Sequence, residues 1–161
     1  MMSRWREPAA WAGLVDGSAC PICLRGHPSD IIETMASSWL TMSEDAAMPG
    51  YVCLVSRVHA VELHHLSVDQ ADAFMRDARR VSRALSGVTG AVKLNYQIHG
   101  NTLPHLHMHF FPRYVGDPFE GRAIEPRSVT QPVYAAGQFA VMRDRLLHAL
   151  GTNEPDMGVD T

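Results

Sequence analysis

Three histidines at alternate positions, His105, His107 and His109, are the densest group of reactive side chains in a sequence that holds nine histidines in 161 residues. They stand in the string Pro104-His-Leu-His-Met-His-Phe-Phe-Pro112. On a β-strand this alternation sends the imidazoles to one face and Leu106, Met108 and Phe110 to the other, with successive histidines roughly 6–7 Å apart. Neutral imidazole is a good nucleophile near neutral pH, and a phosphorylated imidazole is itself reactive. One histidine can therefore split a phosphoryl or nucleotidyl transfer into two easier displacements. A group bonded to one ring nitrogen must fix the tautomer and leave the other lone pair free. Gly100-Asn101-Thr102, just upstream, supplies small polar donors for charge developing on a phosphate. Two other readings exist: a coincidental cluster on a solvated sheet face, and a metal-binding His-x-His pair, which leaves the third histidine without a task.

A second group is Cys20-Pro-Ile-Cys23. Its spacing is that of zinc knuckles, but two thiolates do not complete a tetrahedral site. Spacing alone leaves His27, His59, His64, His65, His99 and His105 as candidates for the remaining ligands. A thioredoxin-like redox role is disfavoured, because no βαβ pattern surrounds the pair.

The elements that must hold these groups are legible in part. Ile31–Met35 and Ser38–Met42 are rich in strand formers, Pro49-Gly50 marks a turn, and Tyr51–Ser56 has the length of a strand buried on both faces, with Cys53 as inert core. Ser67-Val-Asp-Gln70 has the form of a capping box, opening a helix to about Leu85 whose stripe is Ala71, Phe74, Ala78, Val81 and Leu85. Arg76, Arg79, Arg80 and Arg83 fall on its other faces and read as a solvated surface. Gly87 and Gly90 end it. Val92–Ile98 and Leu106–Arg113 are the next strands, and 138–150 is helical by spacing. Residues 1–19 read as an arm packed through Trp5 and Trp11, and 152–161 as a disordered tail. The whole is one domain. His64 and His65 are expected to be exposed, and His99 to be a strand-end residue.

A formal charge of −3 offers no general attraction to a polyanion, which argues against a protein that coats nucleic acid. No apolar run approaches the roughly 20 residues that span a bilayer, and the first residues lack the apolar stretch of a signal peptide. A cytoplasmic location is expected, where thiols stay reduced.

The string His105-Leu-His107-Met-His109-Phe-Phe111 resembles the motif of the histidine triad family at every place. With Gly100–Tyr114 and Asp117-Pro118, it is similar to a bacterial branch often labelled diadenosine-polyphosphate hydrolase, over roughly Cys20 to Asp117. The resemblance implies an α+β fold with a five-stranded antiparallel sheet, commonly as a homodimer. It implies a nucleotide hydrolase in which His107 is the nucleophile, His109 contacts the phosphate, and Asn101 and Thr102 are phosphate-side contacts. A nucleotidyl transferase or phosphorylase, or a non-catalytic nucleotide-binding module, are the alternatives. The related uridylyltransferase branch carries glutamine where His109 stands. Zinc-bearing members imply a structural Zn2+ on Cys20, Cys23, His59 and His105. Where the family commonly has an aspartate or asparagine for the ribose hydroxyls, this sequence has Ser43, a weaker partner for a diol. Its usual Pro-Lys reads Ser56-Arg57.

Overall fold

The computed structural model describes residues 4–152. Its sheet has five strands, β1 (Ile31–Thr34), β2 (Ser38–Thr41), β3 (Val52–Ser56), β4 (Lys93–Ile98) and β5 (His107–Arg113), in the order β1-β2-β3-β5-β4. All neighbours pair antiparallel. The expected α+β fold with a five-stranded antiparallel sheet is what forms.

Period-two alternation divides the side chains between two faces. Leu40, Val52, Leu54, Leu94, Met108 and Phe110 join one buried core with the long helix and the C-terminal helix. The opposite face carries Trp39, Thr41, Cys53, Val55, His107, His109 and Phe111, as cross-strand pairing requires. Cys53 thus lies outside the main core and packs against a smaller cluster of Cys20, Ile22 and Val55. It pairs across the sheet with His109 and is half-buried on the histidine face. The alternation that places the histidines also places this thiol, which an apolar run conceals.

Four helices flank the sheet: α1 (Pro8–Val15), α2 (Pro21–Arg25), α3 (Val68–Thr89) and α4 (Gln138–Thr152). The expected arm is helical over Pro8–Val15, with Pro8 in the first turn, where its missing N–H costs nothing. Thr152 belongs to α4, and the rest of the expected tail lies outside the described residues. The Ser67 hydroxyl accepts from the Gln70 amide at 3.3 Å while the Gln70 side chain accepts from the Ser67 amide at 2.9 Å, closing the capping box of α3. The helix passes through Gly87 and stops at Gly90, whose φ of 66° suits glycine. Arg76, Arg79 and Arg83 are exposed, as expected, while Arg80 donates to the Leu150 carbonyl at the end of α4.

Two buried charges anchor the loops. The Asp77 carboxylate accepts from the Ser37 amide and from the hydroxyls of Ser37 and Ser38 at 2.6–2.9 Å. Arg113 forks onto Asp117 at 2.8 and 2.9 Å and donates to Asn95 and to the Phe119 carbonyl. That guanidinium holds the Asp117 carboxyl down at about 2. No described helix is long and apolar enough to cross a membrane.

Candidate active site and metal centre

The histidine face is built by register. Pairing of β5 with β3 sets Val55 beside His107 and Cys53 beside His109, and pairing with β4 sets Gln97 on the other side of His109. The rings of His107 and His109 meet edge to face with centroids 4.7 Å apart. His107 Nδ1 lies 2.6 Å from the carbonyl oxygen of His105. A carbonyl only accepts, so the proton sits on Nδ1 and the Nε2 lone pair is free. His109 Nδ1 pairs with the Tyr51 hydroxyl at 2.8 Å, and Phe111 lies beside Tyr51 at 4.9 Å between ring centroids.

Burial sets the charge state of these groups. It pulls His107 below the ordinary imidazole value, and it pulls His109 down to about 3, with His107 and His99 adding repulsion. Burial also raises the Tyr51 hydroxyl and pushes the Cys53 thiol up to about 12, so both keep their protons at neutral pH. The face therefore offers an uncharged imidazole with a free lone pair, an uncharged second imidazole and a phenol. Sequence reasoning missed Tyr51, which reads as the first residue of an apolar strand and meets His109 only across 58 residues of chain.

The other predicted residues are spread around this centre. Asn101 is exposed and, with His99, lines a cavity of about 280 Å3 beside the N-terminal arm, so His99 is more than a strand-end residue. Its ring lies 6.0 Å from that of His109. Thr102 is half-buried in the same loop, and Ser43 is half-buried two residues past β2, in line with Thr41 on the histidine face. His64 and His65 are exposed, as expected.

Cys20, Cys23, His59 and His105 converge, their ligand atoms all within 4.8 Å of one another. His59 Nδ1 lies 3.2 Å from His105 Nδ1 and 3.2 Å from Cys23 Sγ, and Cys20 Sγ lies 3.5 Å from His105 Nδ1. Zinc bonds of about 2.0–2.3 Å in a tetrahedron imply edges of roughly 3.3–3.8 Å, which these separations approach. The donor chemistry agrees. His105 Nε2 donates to the Ser56 carbonyl at 2.8 Å and His59 Nε2 to the Val15 carbonyl at 2.9 Å. Both Nδ1 atoms are then bare lone pairs facing each other, an arrangement a cation relieves, and carbonyl partners of this kind orient metal-binding imidazoles. The residues fit a closed Cys2His2 site. The triad thus divides, with the ring of His105 turned to the cysteines and those of His107 and His109 to the open face.

The HIT domain family matches residues 25–116, more than half of the chain. The chain belongs to the histidine triad family. A histidine triad protein from Bradyrhizobium japonicum is similar at 32% identity, over 74% of this chain and 89% of its own, with a TM-score of 0.67. A histidine triad protein from Marinobacter aquaeolei is 25% identical over 75% and 88%, with a TM-score of 0.66. A zinc-bound histidine triad family protein from Mycobacterium smegmatis shares the fold at 18% identity over 84% and 99%, with a TM-score of 0.60. No curated protein matches significantly. Trp5, Trp11, Cys20 and Cys23 lie before the stretch that matches the histidine triad domain.

Proposed function

We propose that this histidine triad protein hydrolyses a nucleotide at its α-phosphate through a nucleotidyl-His107 intermediate, the substrate being a dinucleoside polyphosphate or a nucleoside phosphoramidate. The observation that carries this is the His107 Nδ1–His105 carbonyl bond, which turns a free Nε2 lone pair outward. In the first step Nε2 bonds to phosphorus, the bond from phosphorus to the leaving oxygen or nitrogen breaks, and its electron pair departs with the leaving group. A leaving amine takes a proton from solvent. Water then attacks phosphorus, the N–P electron pair returns to Nε2, and the water's proton passes to solvent.

With the Tyr51 hydroxyl donating to Nδ1, His109 carries its proton on Nε2 and donates to a phosphate oxygen. Asn101 and Thr102 add donors, and Ser43 takes the ribose side. Histidine at 109, where the transferase branch has glutamine, favours water over another acceptor. Cys20, Cys23, His59 and His105 hold zinc, which ties the arm to β5 as a structural cross-link; the zinc-bound mycobacterial relative supports this. Reduced thiolates at that site suit the cytoplasm. Two copies pair along β4, an edge strand that leaves Tyr96 and Ile98 exposed. A single-protomer mass by light scattering removes that last part.

The deciding experiment mixes the protein with adenosine phosphoramidate or diadenosine polyphosphate, quenches in base, where phosphohistidine survives, and weighs the protein. An added nucleotidyl mass on wild type and none on His107→Ala is expected, with turnover down at least about 10³-fold. Full turnover in His107→Ala refutes the reading.

A further inference from the structure

We propose that the cavity between the N-terminal arm and the His99–Asn101 loop is a subsite for a leaving group that carries an alkylammonium ion. The inference rests on the reading above, with His107 attacking the phosphate, and names what is attached to that phosphate.

Position comes from the sheet register. On one side, Thr41 pairs with Cys53 and Cys53 with His109, so Ser43 lies past the His109 end of the row. On the other side Ile98 pairs with Met108, and β4 runs opposite to β5. Beyond Ile98 the pairing ends and the chain turns at Gly100, φ 109°, which carries His99 and Asn101 past the His107 end of the row. Ser43 and the cavity therefore flank His107 from opposite ends. A nucleoside with its ribose toward Ser43 directs the other phosphate substituent toward the cavity, past the His99 ring that stands 6.0 Å from His109.

The lining then says what fits. Trp5 and Trp11 meet edge to face at 6.1 Å and form one wall; Val61 and Glu62 form a second, His99 and Asn101 a third. Among the described residues, neither a lysine nor an arginine lines the space. A polyphosphate leaving group would bring several negative charges to a wall that holds a carboxylate, whereas indole rings and a carboxylate together attract an ammonium ion. Glu62 is exposed at the start of the Leu63–His65 turn, where its backbone carbonyl accepts from the His65 amide at 3.0 Å. At about 280 Å3 the cavity is under the roughly 300–1,000 Å3 of pockets that bury drug-sized ligands, so an aliphatic amine fits better than a second nucleotide. The wall is also anchored: the Val15 carbonyl, at the end of the helix that bears Trp11, accepts from His59 at 2.9 Å. Trp5 and Trp11 precede the family-matched residues.

Two adenosine 5′-phosphoramidates test this, one made with pentylamine and one with 1,5-diaminopentane, which differ in a terminal ammonium. In wild type, kcat/KM for the cationic amidate is expected to exceed that for the neutral one about tenfold. Glu62→Gln, which removes the charge and keeps the size, and Trp11→Leu should each bring the ratio near one. Binding of both intact amidates to His107→Ala, followed by intrinsic fluorescence, reads the same ratio without chemistry. A wild-type ratio near one, or a ratio that neither variant moves, overturns the subsite. Failure to turn over either amidate and absence of a His107 adduct overturn the hydrolase reading instead, and the binding ratio still decides the subsite.

Discussion

At the level of single residues the site works by fixing protons rather than by supplying charge. In the proposed reaction His107 needs only a carbonyl on Nδ1 to become a directed nucleophile, and the backbone of His105, two residues ahead of β5, provides it. Tyr51 does the corresponding work for His109. Tyr51→Phe removes the partner of Nδ1 and is expected to lower kcat about tenfold with little change in KM, measured by steady-state kinetics on an adenosine phosphoramidate. The depressed value of His109, about 3, also fixes a pH dependence. An unfolded chain protonates this histidine near 6.5, while the folded site refuses the proton until far lower. Its contribution to stability is complete above pH 6.5 and is lost progressively as pH falls from there to about 3. Thermal melts from pH 7 to 4 should show a falling midpoint, with a shallower slope in His109→Gln. The three histidines were legible at this scale because alternation is a strand's own period. Tyr51 and Cys53 were not, since which face a residue of an apolar run takes depends on the strand laid beside it.

The elements divide into those with local signals and those that tertiary contacts impose. The start of α3 is written in four consecutive residues, and its end in one glycine, so both are readable without a partner. α1 has no apolar stripe of its own and buries only Leu14, so its helix is recognisable chiefly by Pro8 at its start. Asp77 and Arg113 were equally opaque, because the serines that satisfy the first are about 40 residues away and the second is satisfied largely by loop carbonyls and a turn aspartate. The Pro49-Gly50 turn shows how tightly the elements meet. Gly50 has a φ of 77°, and a Cβ there would stand 2.7 Å from Thr89 Cγ2 at the end of α3 and 3.2 Å from Pro112. Its amide also donates to the Tyr134 hydroxyl at 2.7 Å. Gly50→Ala should cost about 2 kcal/mol and lower the melting midpoint by roughly 4–8 °C. Adding Thr89→Ser, which deletes the clashing methyl and keeps the hydroxyl, should recover part of that loss. Calorimetry on the single and double variants measures both.

For the molecule as a whole, two layers of packing lean on one sheet: an apolar core with α3 and α4 on one face, and on the other the histidines with α2 and the arm. The resemblance carried the sheet, the metal ligands and the triad, all now seen in one framework. It said nothing about the arm, which lies outside the matched stretch and closes the cavity. Metal and catalysis are separable in this arrangement, since the four thiolate and imidazole ligands leave His107 and His109 free. Metal analysis should find about one zinc per chain, and removing it with a chelator should lower the melting midpoint by several degrees while folded protein at low temperature keeps most of its turnover. Complete loss of turnover without unfolding would instead make the metal part of the chemistry.

The four proposed metal ligands are also ordered in time. Cys20 meets His105 across 85 residues of chain. A ribosome adding about 5–20 residues per second needs roughly 4–17 s to travel that distance. Until then the nascent chain holds the two thiols, and of the other two clustered residues only His59, 36 residues after Cys23, has been made. The fourth residue, His105, is made only two residues ahead of β5. A truncated message that stops before His105 yields a chain without a complete site, and an oxidant acting on Cys20 and Cys23 during synthesis removes the site before it has formed.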